Sequence, residues 1–217
     1  MHTQTVEAAN WWARPRGPQA REWVETYQRS LQARHRTVLV EIMRELAPAT
    51  VLELGCHCGP NLIRLCETFP HLIASGVDAN AEAIVAGRTW AAARGLDERT
   101  EFQVGRFPEV THALADRAVD VVVTCYALAY VSPSDLQAAL YEAGRLAATA
   151  VVILEPMVSG EAGPQETRSL SGYTEWAHDY QTALAWIGTL RGVSTTLTPI
   201  RPPVDRLNAA LVVRRCS

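Results

Sequence analysis

Not one lysine occurs in this chain, whose 20 basic residues are all arginine. Schiff-base catalysis and a phosphate-binding P-loop each need a lysine, so both are excluded. Long apolar runs are missing as well. None approaches the roughly 18 residues of a membrane span, and Glu7 and Asn10 stand where a signal peptide would carry its apolar core. A cytoplasmic protein without a membrane partner is therefore expected. There is no excess of positive charge either. The formal net charge of −3 leaves no footprint for broad nucleic-acid binding, and DNA is not expected as a partner. Five cysteines, an odd number with no CxxC pair, read as reduced thiols rather than a disulfide framework. Cys56, Cys58 and Cys66 are close enough in sequence to raise a zinc site, but the turn that holds the first two already has a role and Cys66 falls in an apolar helix. No metal is expected.

What the chain does contain is an organising stretch at residues 50–61, TVLELGCHCGPN. Val51, Leu52 and Leu54 form a short apolar run between Pro48 and Gly55, as expected of a strand buried in a parallel sheet. Gly59 then stands where a helix is capped and Pro60 where its first turn begins, because proline's fixed φ suits that turn and its missing N–H costs nothing there. Strand, glycine-bearing turn and helix together make the nucleotide-binding corner of a doubly wound α/β fold. A dinucleotide fingerprint needs a second glycine where this chain has His57, so a pyrophosphate is disfavoured. A second apolar strand, 72–78, ends in Asp78, which follows Gly55 by about 20 residues, the spacing of an acid that accepts from ribose hydroxyls.

These residues resemble motif I of the class I S-adenosylmethionine-dependent methyltransferases: an apolar strand with an acid and spaced glycines, met here by Val51, Leu52, Glu53, Gly55 and Gly59. The resemblance covers roughly residues 50–214 and implies a Rossmann-like, doubly wound α/β fold. Its seven-stranded mixed sheet would have an antiparallel last strand and N-terminal helices before it. It also implies S-adenosylmethionine as cofactor and S-adenosylhomocysteine as product. Gly55, Gly59 and Asp78 would hold the cofactor, Glu53 would support the turn, and Thr124 would lie beside the cofactor at the end of the fourth strand, 119–126. Many relatives place an acid after the third strand to accept from the adenine amino group. This chain has Gly105-Arg106-Phe107 there, which leaves Phe107 to cover the purine face or a backbone carbonyl to accept the N–H. The tetrapeptides Asp-Pro-Pro-Tyr and Asn-Pro-Pro-Tyr, marks of adenine methylation in this superfamily, do not occur.

Along the chain, residues 1–48 are expected to form an N-terminal arm and a helical lid, and 49–217 the methyltransferase domain. Residues 1–18 read as irregular, and apolar positions from Trp23 to Leu46 recur at helical spacing with a break near 35–37. Further elements are a helix at 81–93, a strand at 101–105, a helix from Ser132 to about Ala148 and a strand at 150–156. A glycine-rich stretch at 157–174 reads as one long loop over the site, delivering 173–180 as the head of a helix that reaches about Leu190. Strands at 193–198 and 207–213 close the sheet as an antiparallel pair.

The expected activity is methylation of oxygen or nitrogen on a small-molecule acceptor by direct in-line transfer. No covalent nucleophile is needed, so Cys125 reads as a packing residue. The acceptor needs a group to take its proton, for which His178 is the expected base, with Tyr126 beside it in the catalytic set. Tyr130, Glu155, Asp179, Tyr180 and Tyr27 are expected on the acceptor side. Two other readings stay open: a nicotinamide-dependent oxidoreductase, and a non-catalytic cofactor- or partner-binding protein of the same fold. A protein or structured RNA acceptor also stays open, through a local patch of Arg14, Arg16 and Arg21.

Overall fold

The computed structural model describes residues 3–15, 17, 19–158, 164–170, 173–185, 193–204 and 207–215. Three helices lead: α1 (Thr3–Trp12), α2 (Gln19–Arg29) and α3 (Arg34–Leu46). Then β1 (Thr50–Leu54), α4 (Pro60–Thr68), β2 (Ile73–Asp78), α5 (Ala81–Ala93), β3 (Thr100–Val104), β4 (Val119–Cys125), α6 (Leu136–Leu146) and β5 (Ala147–Leu154) alternate strand with helix. A hairpin of β6 (Gln165–Leu170) and β7 (Tyr173–Ala177) precedes α7 (Tyr180–Ala185), and β8 (Val193–Val204) and β9 (Leu207–Arg215) end the fold.

The main sheet has seven strands in the order β3-β2-β1-β4-β5-β9-β8. Strands β1 to β5 pair in parallel, and β9 runs antiparallel to both β5 and β8. Alternation along each strand fills both faces. Leu52, Leu54, Val122 and Ile153 pack with Leu136, Leu140 and Leu146 of α6, while Val51, Val121, Val123 and Val152 pack with Val38, Leu39, Ile42 and Met43 of α3. With both faces covered, these strands read as continuous apolar runs. A third cluster joins α4 and α5 over β2 and β3 through Leu62, Ile63, Ile84 and Trp90 against Ala74 and Phe102. Because β2 and β4 lie on opposite sides of β1, the chain reverses direction there and opens a crevice beyond the carboxyl ends of the strands.

Three expectations change. Residues 3–12 are a helix rather than an irregular arm, since the first proline and glycine after the start fall only beyond it. The interruption between α2 and α3 lies at 30–33, where Ala33 N–H donates to Ser30 O (2.9 Å), earlier than 35–37. Residues 173–177 are a strand: Tyr173, Glu175 and Ala177 are buried while Thr174 and Trp176 are half-buried, a period of two rather than 3.6. That strand pairs with Gln165–Leu170, so ordered structure occupies part of the expected long loop. Gly160, Gly163 and Gly172 of that loop, positions 186–190 of the expected long helix, and Arg16 of the arginine patch lie outside the described residues. Among the described residues, no helix is long and apolar enough to cross a membrane.

Candidate active site

A cavity of about 220 Å³ occupies the crevice. Its floor is Leu54 and Gly55 at the end of β1, Val77, Asp78 and Ala79 at the end of β2, and Cys125 to Leu128 at the end of β4; Gly105, Arg106 and Phe107 close the β3 side. The turn after β1 approaches its surroundings closely. Gly55 has φ +75°, its N–H donates to Val77 O (2.8 Å), and a Cβ there would collide with that of Ala127. Gly59 (φ +71°) caps α4 against the Phe102 ring, where a side chain would again collide.

Asp78 is bound to this turn. Its Oδ2 accepts from His57 N–H and its Oδ1 from Asn80 N–H, both at 2.8 Å. Burial pushes the carboxyl up, and the two N–H donors partly offset this. Each oxygen still has a lone pair for a ligand hydroxyl. Asn80, not Asp78, caps α5, accepting from Ala83 N–H (2.9 Å) while its Nδ2 donates to Trp12 O (2.8 Å). Glu53 lies beneath the cavity and does not line it. Its Oε1 accepts from Asn61 Nδ2 (2.6 Å), tying β1 to α4, and complete burial pushes its carboxyl up to about 8.

Of the other residues expected at the site, Phe107, Tyr126, Tyr130 and Tyr27 line the cavity. Thr124 is fully buried below it. Tyr126 adopts φ +55°, and the loop after it is held by Glu155, whose carboxylate accepts from the N–H groups of Ala127 (2.9 Å), Leu128 (3.0 Å) and Ala129 (3.1 Å). Glu155 thus faces backbone rather than an acceptor. Burial pushes it up to about 7 against the pull of those N–H groups.

His178 is fully buried and does not line the cavity; its Nε2 lies 3.1 Å from Val131 O, and burial lowers its pKa to about 4. The neutral ring therefore carries its proton on Nε2 and donates it to that carbonyl. Asp179 caps α7, accepting from Thr182 N–H (3.0 Å) and Oγ1 (2.7 Å), and Tyr180 is core, edge-on to His178 at 5.5 Å between ring centroids. The geometry brings none of the three to the crevice. The reason is the strand at 173–177: it turns this segment away from the cavity end and leaves only its first residues near it.

Sequence reading overlooked part of the wall. Thr5, Ala9 and Trp12 of α1 line the cavity, and the helix is secured by Ser132 N–H to Thr5 Oγ1 (2.9 Å), Arg106 Nη2 to Asn10 Oδ1, and Asn80 to Trp12 O. Trp12 packs on Tyr130 (5.2 Å) and Tyr173 (5.8 Å), while Tyr130 Oη donates to Glu175 Oε1 (3.3 Å). The adjacent Trp11 and Trp12 in a polar N-terminal stretch were the available signal. Trp12 Nε1 and His57 Nδ1, on two cavity-lining residues, are buried with no hydrogen-bond partner in the protein. Such atoms call for a polar ligand, and an adenosine-bearing cofactor with ribose hydroxyls and an amino-acid tail supplies one.

Residues 51–149 match the methyltransferase-domain family. Over that stretch the chain carries a methyltransferase domain. No curated protein matches it in sequence. Solved structures share the fold of this chain. An O-methyltransferase family protein from Burkholderia thailandensis aligns at 19% identity and TM-score 0.64 over 88% of this chain and 59% of its own. A putative O-methyltransferase from Nostoc punctiforme aligns at 14% identity and TM-score 0.68 over 89% and 60%. The chain thus spans about 60% of the length of these two. A magnesium protoporphyrin IX methyltransferase from Synechocystis, solved with bound S-adenosylmethionine, aligns at 12% identity and TM-score 0.67 over 99% of this chain and 98% of its own.

Cys125 lines the cavity, but desolvation raises its thiol far above neutral pH, so it stays protonated. Cys125→Ala is expected to leave S-adenosylhomocysteine affinity within about threefold by titration calorimetry, because the thiol adds only a weak hydrogen bond.

Proposed function

We propose that this chain transfers the methyl group of S-adenosylmethionine to an oxygen or nitrogen of a small-molecule acceptor. The reading rests on one arrangement: the ribose acid and glycine turn share a single cavity with the aromatic wall of Trp12, Tyr27, Tyr126 and Tyr130. The small acceptor accords with the modest size of that cavity, and with the small-molecule methyltransferases among proteins of the same fold. Bound S-adenosylmethionine supplies a sulfonium methyl that is open to attack along the line of its S–C bond.

The chain's own residues then bind, orient and exclude water. Asp78 accepts from the ribose hydroxyls, Gly55 lets the ligand approach bare backbone, and Phe107 covers the purine. Aromatic faces favour a cationic sulfonium through their quadrupoles. Residues 1–48 act as the cover, with α1 shutting out water. Holding the acceptor atom at attack distance lowers the barrier by several kcal/mol, and no covalent nucleophile is required.

With His178 turned to Val131, Tyr130 is the cavity group placed to handle the acceptor proton. Its hydroxyl oxygen can accept from the acceptor's O–H or N–H while its own proton is directed to Glu175. Tyr130→Phe is expected to lower turnover about a hundredfold or more with S-adenosylhomocysteine affinity unchanged, the lower end of a general acid–base contribution. Calorimetry with S-adenosylmethionine, S-adenosylhomocysteine and NAD tests the cofactor. Binding of NAD alone would overturn the reading in favour of an oxidoreductase. Radiolabelled cofactor incubated with cell extract then tests the acceptor class, and label in the protein or RNA fraction instead of small molecules would overturn that part.

A further inference from the structure

Asn80 joins segments that are far apart in the chain. The residue is 1% exposed, and both polar atoms of its side chain are engaged. Its Oδ1 accepts from Ala83 N–H (2.9 Å) to cap α5, its Nδ2 donates to Trp12 O (2.8 Å), 68 residues away in sequence, and its backbone N–H donates to Asp78 Oδ1 (2.8 Å). A helix cap needs only an acceptor oxygen, which serine or aspartate also provides. The amide adds a donor, and that donor goes to the last residue of α1.

The end of α1 carries part of the acceptor wall. Trp12 lines the cavity with its ring against Tyr130 (5.2 Å), the group placed to handle the acceptor proton. The helix cannot hold this position by itself. It has 10 residues, and an isolated helix shorter than roughly 12–15 residues is marginal in water. Its place depends on tethers: Thr5 Oγ1 to Ser132 N–H (2.9 Å), Asn10 Oδ1 to Arg106 Nη2, and Trp12 O to Asn80 Nδ2. Of these, the tether at Trp12 leads on through Asn80 to the Asp78 carboxylate. A ligand hydroxyl on Asp78 steadies the carboxylate to which Asn80 N–H donates, and with it the segment from which Nδ2 reaches α1.

We propose that Asn80 is a positioning residue that makes the acceptor wall depend on the cofactor: ribose on Asp78 secures the end of α1 through Asn80 and sets the Trp12 ring against Tyr130. The inference rests on the S-adenosylmethionine reading above, and it goes beyond the covering role given there to residues 1–48. The acceptor half of the cavity is complete only once the methyl donor is in place, so the acceptor binds second. The coupling is reciprocal: the factor by which the cofactor favours this placement of α1 is the factor by which the placement raises cofactor affinity.

Hydrogen exchange at the α1 amides, with and without saturating S-adenosylhomocysteine, tests this. In the unsubstituted protein the ligand is expected to slow α1 exchange by about five- to tenfold, the size of one neutral hydrogen bond. Asn80→Ser and Asn80→Asp keep an acceptor for Ala83 N–H and remove the amide donor; the serine adds no charge and the aspartate keeps the shape, so either serves if the other does not fold. In both, exchange at Ala83 should stay as it was, the ligand should slow α1 by less than about twofold, and S-adenosylhomocysteine affinity should fall by about the factor of protection lost. Contact between ligand and α1 alone would leave the slowing intact. Slowing retained in a folded variant, or absent from unsubstituted protein that binds S-adenosylhomocysteine, would overturn the role of Asn80. Failure of the unsubstituted protein to bind S-adenosylhomocysteine at all would overturn the cofactor reading instead.

Discussion

Asp78→Asn should weaken S-adenosylhomocysteine binding by about a hundredfold or more, since hydrogen bonds to a charged group contribute about 1.5–3 kcal/mol each and a ribose offers two hydroxyls. The loss has a second source. Asp78 Oδ2 accepts from His57 N–H and Oδ1 from Asn80 N–H. An amide can serve one of these donors through its oxygen but presents its NH₂ to the other, so the turn after β1 loses an anchor at the same moment. The melting temperature should fall only slightly, because both N–H groups belong to segments held by other bonds: Cys56 N–H to Val77 O (3.1 Å) and the Asn80 cap of α5. Affinity retained within threefold would remove Asp78 from the cofactor site.

Glu155→Ala is the substitution expected to cost the most stability. Its carboxylate serves three backbone N–H groups of the loop after β4, and each buried donor left unsatisfied costs about 1–3 kcal/mol. A net loss of about 3 kcal/mol, with water reaching part of the loop, corresponds to about 6–12 °C in melting temperature for a chain of this size. Glu155→Gln keeps one acceptor oxygen and should lose less than half as much. Amide exchange at Ala127, Leu128 and Ala129 should accelerate in the alanine variant before exchange in the β4 core does; unchanged protection there would show that the loop holds without the carboxylate.

The same residue carries a pH signature. Burial raises the folded-state pKa of Glu155 to about 7 and that of Glu53 to about 8, above the ordinary carboxyl value near 4.5. The folded protein therefore binds protons that the unfolded chain has released. Their contribution is fully present below about pH 4.5 and is lost as pH rises through about 7 and 8. Over this range the unliganded protein should melt at progressively lower temperature. Glu155→Gln should remove part of that slope, and an unaltered slope would mean that Glu155 is ionised throughout.

Local signals were enough for the central architecture. The apolar run at β1, the glycine pattern at Gly55 and Gly59, Pro60 at the start of α4 and the acid closing β2 each act through backbone geometry within a few residues, so strand, turn, helix and an acid at the cavity floor were legible in the sequence. The closing antiparallel pair was legible for the same reason. What the sequence could not decide was direction and distance. His178, Asp179 and Tyr180 had the right chemistry for an acceptor site, but pairing of Tyr173–Ala177 with a strand hidden in a glycine-rich stretch sends them to the core and to the cap of α7. Glu155 looked like a ligand group because it ends a strand; three N–H donors from a loop some 27 residues earlier make it a structural anchor instead. The cavity's outer wall came from α1, more than 60 residues before Asn80, whose side chain holds it. Those decisions rest on contacts between distant segments, and such contacts are set by how the sheet stacks its helices rather than by any local pattern.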